Sequence, residues 1–189
     1  MTWVGSIGGI CDWLNCSAQT IADEVLGMEV VARHLKNHAT TMSAGIDRDL
    51  FGRSAFNRFY YAAFLNLKAD LGAVITALPK THAGIPDFLR TTVKKELAAG
   101  IAKARRADDQ ALMKACSQAK SAASELADLM EQGYVTRVVA DYHPDALVNF
   151  SDSLNFMLNN VPVDYAQTWP HRARLFARNI VDAWRQINA

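Results

Sequence analysis

Apolar residues recur every three or four positions along most of this chain of 189 residues, and glycine and proline interrupt the pattern only sparsely. This spacing places the apolar side chains on one face of a helix, whereas a half-buried strand needs them at every second position. No alternating run exceeds a few residues, and the one strand-like stretch, residues 135–139, is too isolated to build a sheet. The sequence therefore predicts an all-α bundle that forms a single domain over residues 1–189.

Four stretches carry the helical pattern most clearly. The strongest covers residues 104–130 and predicts a long helix that stops at Gly133 in a left-handed turn. A second predicts a core helix over residues 56–78. Amphipathic helices are also predicted over residues 21–35 and 175–187, so the bundle is expected to form from these four stretches.

Capping residues predict where two of these helices begin. Asp47 or Asp49 is expected to cap the start of the core helix. The last helix is expected to begin near Thr168, which caps it, with Pro170 in its first turn. A shorter helix is predicted over residues 150–158, because apolar residues also follow the helical spacing there.

Charge and cysteine content narrow the class of protein. Twenty Lys and Arg against 19 Asp and Glu leave a net charge of +1, which argues against a protein that coats nucleic acid or a membrane through its overall charge. The three cysteines are an odd number in a chain of a size that needs no disulfides, which favours reduced thiols. No stretch approaches the roughly 18 apolar residues of a membrane span, and no basic segment typical of a secretion signal opens the chain. We therefore expect a cytoplasmic protein that does not bind membranes.

Zinc binding and the common catalytic motifs find little support. His34 and His38 stand four residues apart on one predicted helix face, after Cys11 and Cys16. The spacing of the cysteines does not match the tight knuckle that structural zinc prefers, so packing or surface positions are favoured for these histidines. The sequence also lacks phosphate loops, serine nucleophile elbows and zinc-protease motifs.

A basic stretch offers a candidate contact to a nucleic-acid backbone. Its cations are Lys94, Lys95, Arg105 and Arg106. They are able to neutralise phosphates, although the nearby Glu96 also fits the alternative of a solvated helix face. RNA-backbone contact and a plain solvated face both stay open for this stretch.

One segment combines an arginine, a carboxylate, a phenol and a histidine immediately before a proline. The residues are Arg137, Asp141, Tyr142 and His143, followed by Pro144. A neutral imidazole can take a proton from a ribose 2′-hydroxyl, while a guanidinium stabilises the charge that gathers on phosphorus. On an unbroken helix Arg137 and His143 point well apart, so this chemistry needs a break near Pro144. The residues alone favour the alternative, in which Arg137 pairs with Asp141 at a helix end while Tyr142 and His143 cap the turn.

Three separate stretches share their order and spacing with a known family. Residues 57–64 are similar to an early Arg-x-Tyr-Tyr-Ala-x-Phe helix, and residues 80–85 are similar to the Thr-His-x-Gly turn that follows it. Residues 137–142 resemble an Arg-x-x-Ala-Asp-Tyr segment that precedes the last long helix. Across roughly residues 21–187 the chain therefore resembles the HEPN (higher eukaryote and prokaryote nucleotide-binding) superfamily of helical bundles.

The resemblance implies an up-and-down bundle of four to five main helices that pairs face to face as a homodimer. Many members are metal-independent endoribonucleases whose signature is an arginine followed, after four to six residues, by a histidine. Arg137 and His143 match it with five residues between them. His143 is then the general base or acid, and Arg137 stabilises the pentavalent phosphate on the way to a 2′,3′-cyclic phosphate. Asp141, Tyr142 and Arg58 are the implied supporting residues, and no metal or cofactor is implied.

The resemblance also implies a biological role and a partner. Such ribonucleases commonly act as toxins or defence nucleases, restrained by a nucleotidyltransferase-type antitoxin or another regulator. Other members are non-catalytic binding or regulatory modules beside nucleotidyltransferases. Val138 keeps that alternative open, because active members usually carry a polar residue directly after the arginine. His82 in the Thr-His turn is expected to pack or to cap a helix.

Overall fold

Helices account for most of the chain, as the apolar spacing predicts. The computed structural model describes residues 27–151 and 155–189. Its helices are α1 (residues 27–41 of the described chain), α2 (Ile46–Gly72), α3 (Gly84–Phe88), α4 (Lys94–Arg106), α5 (Gln110–Tyr142) and α6 (Val163–Ile187). One π-helical turn, Leu89–Val93, joins α3 to α4 in a continuous rod, because the junction residues keep right-handed helical angles. The fold is a mostly helical bundle.

Three long helices, α2, α5 and α6, enclose the core. Phe56 and Tyr60 of α2, Leu126 of α5 and Trp169 of α6 are among the largest fully buried side chains. Burial of such side chains contributes about 1.5 to 3 kcal/mol each. The predicted core helix is present, but it ends at Gly72 rather than near residue 78, because the chain turns more tightly there while still burying apolar residues.

The predicted stop of the longest helix at Gly133 is wrong. Asp109 caps the start of α5 by accepting a hydrogen bond from the Leu112 N–H at 2.9 Å. The helix then continues through Gly133 to Tyr142, and the strand-like residues 135–139 are helical. Gly133 is buried against α2, where a Cβ atom would lie only 2.8 Å from Cδ2 of Tyr60. Glycine therefore allows a close helix approach here and does not end the helix.

The short helix predicted over residues 150–158 is also wrong. The chain there forms three antiparallel strands in sheet order β1-β2-β3, namely β1 (Asn149–Phe150), β2 (Phe156–Leu158) and β3 (Val161–Pro162). Asn159 and Asn160 connect β2 to β3 with φ angles of 50° and 60°, the left-handed conformation that a tight two-residue hairpin requires. Burial alternates along β2, which is the period of a strand.

The last helix begins about two turns earlier than predicted. It starts at Val163, so Pro170 lies inside the helix and not in its first turn. Proline lacks an N–H and removes one helical hydrogen bond. The buried Asn66 of α2 fixes this turn of α6 against α2, because its amide donates to the Pro170 carbonyl at 2.9 Å and its amide oxygen accepts from Arg174.

The first described helix is tied to the last by Lys36. Its ammonium donates to the Asp164 carboxylate and, at 2.7 Å, to the Gln167 side-chain oxygen of α6. His34 and His38 are exposed on α1, and the His38 ring packs edge-on against Phe51 with centroids 4.5 Å apart.

Neither a metal centre nor a membrane span is present among the described residues. The zinc alternative falls partly outside the described residues, because Cys11 and Cys16 lie there. Within residues 27–151 and 155–189 no three or more His, Cys, Asp or Glu side chains are placed to share a metal ion. No helix in those same ranges has both the length and the apolar character needed to cross a bilayer.

Gly133→Ala is expected to lower the free energy of unfolding by about 1 to 2 kcal/mol, since overpacking against the buried Tyr60 ring outweighs the gain in helix propensity. Urea denaturation followed by circular dichroism measures the change. Gly72→Ala is the matched control, because a Cβ atom there meets Leu78 only at 3.9 Å. A Gly133→Ala protein at least as stable as the wild type would contradict the close-approach explanation.

Candidate functional site

Arg137 lies about one and a half turns before the end of α5 and contacts residues on several sides. Its Nε lies 2.9 Å from the Asp141 carboxylate, and its NH2 group donates to the Tyr61 hydroxyl at 3.2 Å. The guanidinium carbon also lies 5.7 Å and 5.5 Å from the ring centres of Tyr61 and Tyr142. Burial opposes its charge, but Asp141 and Tyr61 raise the pKa of Arg137 above its ordinary value, so it stays a cation.

The Asp141 carboxylate is shared between two partners. One oxygen faces Arg137, and the other accepts a hydrogen bond from the Asn57 amide of α2 at 2.5 Å. The contact with Arg137 is an ion pair and not a directed hydrogen bond, because Nε–H has no aligned acceptor among the described residues. The Arg137–Asp141 pair favoured by the four-residue spacing is therefore present, and Asp141 orients Arg137.

His143 caps α5 and faces solvent. Its N–H bonds to the Val139 carbonyl at 3.2 Å, and its backbone angles are no longer helical. The imidazole is exposed and has no hydrogen-bond, ion-pair or ring partner among the described residues. Because α5 is unbroken through Tyr142, about 9 Å of helix rise and about 120° of rotation separate Arg137 from His143. The two groups lie at one end of α5 but diverge within one chain.

Arg53 of α2 caps the end of α5, and no motif in the sequence pointed to this residue. Its side chain is buried and pairs with Asp49 at 2.5 Å. Its guanidinium donates to five backbone carbonyls, those of Val139, Ala140, His143, Pro144 and Ala146. The last carbonyls of a helix lack internal partners and carry the negative end of its dipole. Arg53 therefore acts as a C-terminal cap supplied by another helix.

Arg58 and Asp141 line one polar cleft. The cleft has a volume of 310 Å³ and lies between α2 and α5, with Ser54 and Asn57 also in its wall. The Arg58 guanidinium is exposed, and its only contact among the described residues is the Met28 sulfur at 3.8 Å. Arg58 is thus free to bind an anion, and Arg137 is joined to the same cleft through its partner Asp141.

A larger apolar groove adjoins this cleft. It has a volume of 590 Å³ and shares Arg53 and Asp141 with the polar cleft. Ile46, Leu50 and Leu147 line it and are 76 %, 52 % and 69 % exposed. This surface is able to cover an apolar side chain or a base.

The basic stretch on α4 lies elsewhere. Lys95, Arg105 and Arg106 are exposed, and Lys94 lines a separate cleft of 310 Å³ between α4 and α5. That cleft is roughly 25 Å from Arg137 along α5, on nearly the opposite face of the helix. The structure therefore does not bring these four cations to the Arg137 site.

His82 lies beside the site in a cluster of aromatic rings. Its Nδ1 is 2.9 Å from the Tyr60 hydroxyl. Its ring centre is 3.9 Å from that of Phe64, and the rings of Tyr60, Tyr61 and Tyr134 surround it. Burial, and after it the nearby cations Arg137 and Lys68, lower the pKa of His82. Tyr60, Tyr61 and Phe64 of the Tyr-Tyr motif thus lie against His82 of the Thr-His motif. Their positions in the sequence do not reveal this contact.

Comparison of the chain with protein-family models, with curated proteins and with solved structures gives no match. The resemblance to the HEPN superfamily therefore rests on the motifs alone. Membership of that superfamily, the homodimer and the roles of Arg137 and His143 remain predictions.

Arg53→Met is expected to lower the free energy of unfolding by about 3 to 5 kcal/mol, because Asp49 loses its counterion and the α5 carbonyls lose their donors. Chemical denaturation measures the loss. Arg58→Met on the same helix is the control and should change stability by less than about 0.5 kcal/mol, since Arg58 is exposed. Equal stability of the two variants would overturn the capping role of Arg53.

The stability of the wild type is expected to fall as the pH drops below about 6.5. The pKa of His82 is lowered from 6.5 in the folded chain, so the unfolded chain binds the proton more tightly and acid favours unfolding. Unfolding curves measured at a series of pH values should show a shallower slope for His82→Phe, while the exposed His171→Phe keeps the wild-type slope. An unchanged slope in His82→Phe would exclude His82 as the titrating group.

Proposed function

We propose that this chain is a metal-independent endoribonuclease whose active centre is the end of α5. The observation that carries the proposal is the combination, at that end, of an oriented guanidinium and an exposed imidazole without a partner among the described residues. Arg137 supplies positive charge for a phosphate, and His143 supplies an imidazole, a side chain that is able to accept and donate a proton. The resemblance of residues 137–142 to a ribonuclease family adds to this support.

The proposed reaction is an internal transfer within RNA. Neutral His143 accepts the proton of a ribose 2′-hydroxyl, the 2′-oxygen attacks phosphorus, and the bond to the 5′-oxygen breaks. The leaving 5′-oxygen takes up a proton, so the products are a 2′,3′-cyclic phosphate and a 5′-hydroxyl. Arg137 stabilises the charge on the pentavalent phosphate, and Arg58 in the polar cleft contacts a neighbouring phosphate.

A homodimer is part of this proposal. Arg137 and His143 diverge on one α5 helix, so one phosphate contacts both groups more readily when the ends of two α5 helices meet. The exposed apolar side chains beside the site, Ile46, Leu50 and Leu147, suit burial in such a contact. We propose further that the enzyme is a toxin or defence nuclease, restrained by a nucleotidyltransferase-type antitoxin or another regulator.

A second candidate is a non-catalytic binding or regulatory module. The observation that favours it is the engagement of Arg137, whose side chain is only 17 % exposed and already paired with Asp141. On this alternative the ion pair and its tyrosines serve the fold, and the apolar groove receives a partner protein.

The test is incubation of the purified chain with total RNA in EDTA, followed by gel analysis and identification of the new ends. We expect the wild type to cleave RNA and His143→Ala to lose at least about 100-fold in rate, because a general base contributes that much or more. Arg137→Lys should also lose activity, since lysine lacks the planar fork of donors. His171→Ala, an exposed histidine of α6, is the matched control and should cleave at the wild-type rate.

Circular dichroism and thermal unfolding must show that each variant is folded. RNA left intact by the folded wild type, or cut equally well by His143→Ala, would overturn the ribonuclease proposal. The first of these results would favour the binding module, and its partner would then be sought.

A further inference from the structure

Arg137 and His82 both lie against the ring of one tyrosine, Tyr61. The His82 ring centre is 5.6 Å from the centre of the Tyr61 ring, and the Arg137 guanidinium carbon is 5.7 Å from it. Arg137 also donates to the Tyr61 hydroxyl at 3.2 Å. The fold therefore places a second imidazole beside the guanidinium of the proposed active centre, from a loop remote in sequence.

Hydrogen bonding determines which nitrogen of His82 carries its proton. Burial raises the pKa of Tyr60 above its ordinary value, so its hydroxyl keeps its proton. Tyr60 is fully buried and its hydroxyl has no other acceptor among the described residues, so it donates to Nδ1 of His82, 2.9 Å away. A neutral imidazole with Nδ1 as acceptor carries its hydrogen on Nε2. Nε2 has no hydrogen-bond partner among the described residues, so His82 presents one N–H donor that remains available.

The surroundings of His82 are positive. Lys68 and Arg137 are the charged groups that act on it, and the other side chains packed around it are tyrosines and a phenylalanine. The Lys68 ammonium lies 5.8 Å from the centre of the Phe64 ring that contacts His82, and its hydrogen bond to the Pro79 carbonyl is long, at 3.5 Å. Asp141, the carboxylate paired with Arg137, is not among the groups that shift the pKa of His82. A positive region with a neutral N–H donor favours an anion.

We infer that His82 is a second phosphate-contacting residue of the Arg137 site, whose Nε2–H donates to a non-bridging oxygen of the phosphate that Arg137 also contacts. This inference rests on the proposed ribonuclease function and deepens it. The role of His82 is to donate a hydrogen bond throughout, and no proton leaves the ring. Both donors lie near the Tyr61 ring, and a phosphate joins two donors through hydrogen bonds of about 2.9 Å to separate oxygens.

Tyr60 has a positioning role on this reading. Its hydroxyl selects the tautomer of His82, and without it the ring hydrogen can move to Nδ1, which leaves Nε2 as an acceptor facing the phosphate. Tyr60→Phe should therefore weaken phosphate contact although Tyr60 itself is fully buried and touches no substrate.

The first test is RNA cleavage by His82→Phe, which keeps an aromatic ring in the cluster and removes both nitrogens. We expect kcat to fall about 100-fold with KM nearly unchanged, as for the loss of one donor to a transition state. Tyr60→Phe should show a smaller fall, and His171→Phe should show none. Wild-type cleavage by a folded His82→Phe would overturn the inference while leaving the ribonuclease proposal intact.

The second test does not depend on cleavage. The wild-type chain is labelled with ¹⁵N and titrated with an oligonucleotide whose riboses are 2′-O-methylated, which removes the attacking hydroxyl. We expect the Nε2 signal of His82 to shift on binding and that of His171 to stay in place. An unmoved His82 signal at saturation would overturn the inference, and a shift in a chain that cuts no RNA would support it while the ribonuclease proposal fails. This titration also decides the matter if His82→Phe does not fold.

Discussion

The geometry of the candidate site depends on the ion pair and hydrogen bonds of one buried side chain, the guanidinium of Arg53. A helix of 33 residues ends beside it, and the last carbonyls of a helix need donors beyond those that the helix itself supplies. Arg53 supplies them from α2, and Asp49 balances its charge while also accepting the Val148 N–H at 2.6 Å. Because one side chain joins the helix end to the loop that follows, the position of His143 is set by α2 and not by α5 alone.

The same face of α2 also positions the site residues that precede the end of α5. Asp49, Arg53, Asn57 and Tyr61 follow one another at intervals of four residues, so they form one stripe along the helix. Each contacts α5 or the loop after it, and the last two hold Asp141 and Arg137. The Arg137 guanidinium is therefore already oriented in the free protein. In the proposed reaction, little further ordering is needed when a phosphate binds. In the proposed reaction a phosphate shares Arg137 with Asp141, so the ion pair that orients the arginine also limits its affinity for anions.

Local periodicity predicts the helices well because it reports which face of each helix is buried. It fails where a residue is used for a tertiary reason. The glycine at position 133 predicts the end of a helix, but it is needed because the Tyr60 ring lies so close to α5 there. Asn159 and Asn160 carry a hairpin signal that the helical spacing of residues 150–158 obscured. The Arg137–Asp141 pair is predictable from spacing alone, whereas the partners of Arg53 are backbone carbonyls 86 to 93 residues away and leave no trace in side-chain sequence.

His143 and His82 carry the same imidazole group, but their surroundings suit them to different tasks. His143 lies at a helix end, exposed and without a partner among the described residues, which suits the proton transfer proposed for it. His82 is packed among aromatic rings and bonded at Nδ1, and burial together with the nearby cations Arg137 and Lys68 lowers its pKa, so its ring is held neutral with one fixed donor. Transfer of a phosphoryl group needs a group that moves a proton and groups that stabilise charge without moving one. An exposed imidazole suits the first task and an enclosed one the second, since burial suppresses the titration on which a general base depends.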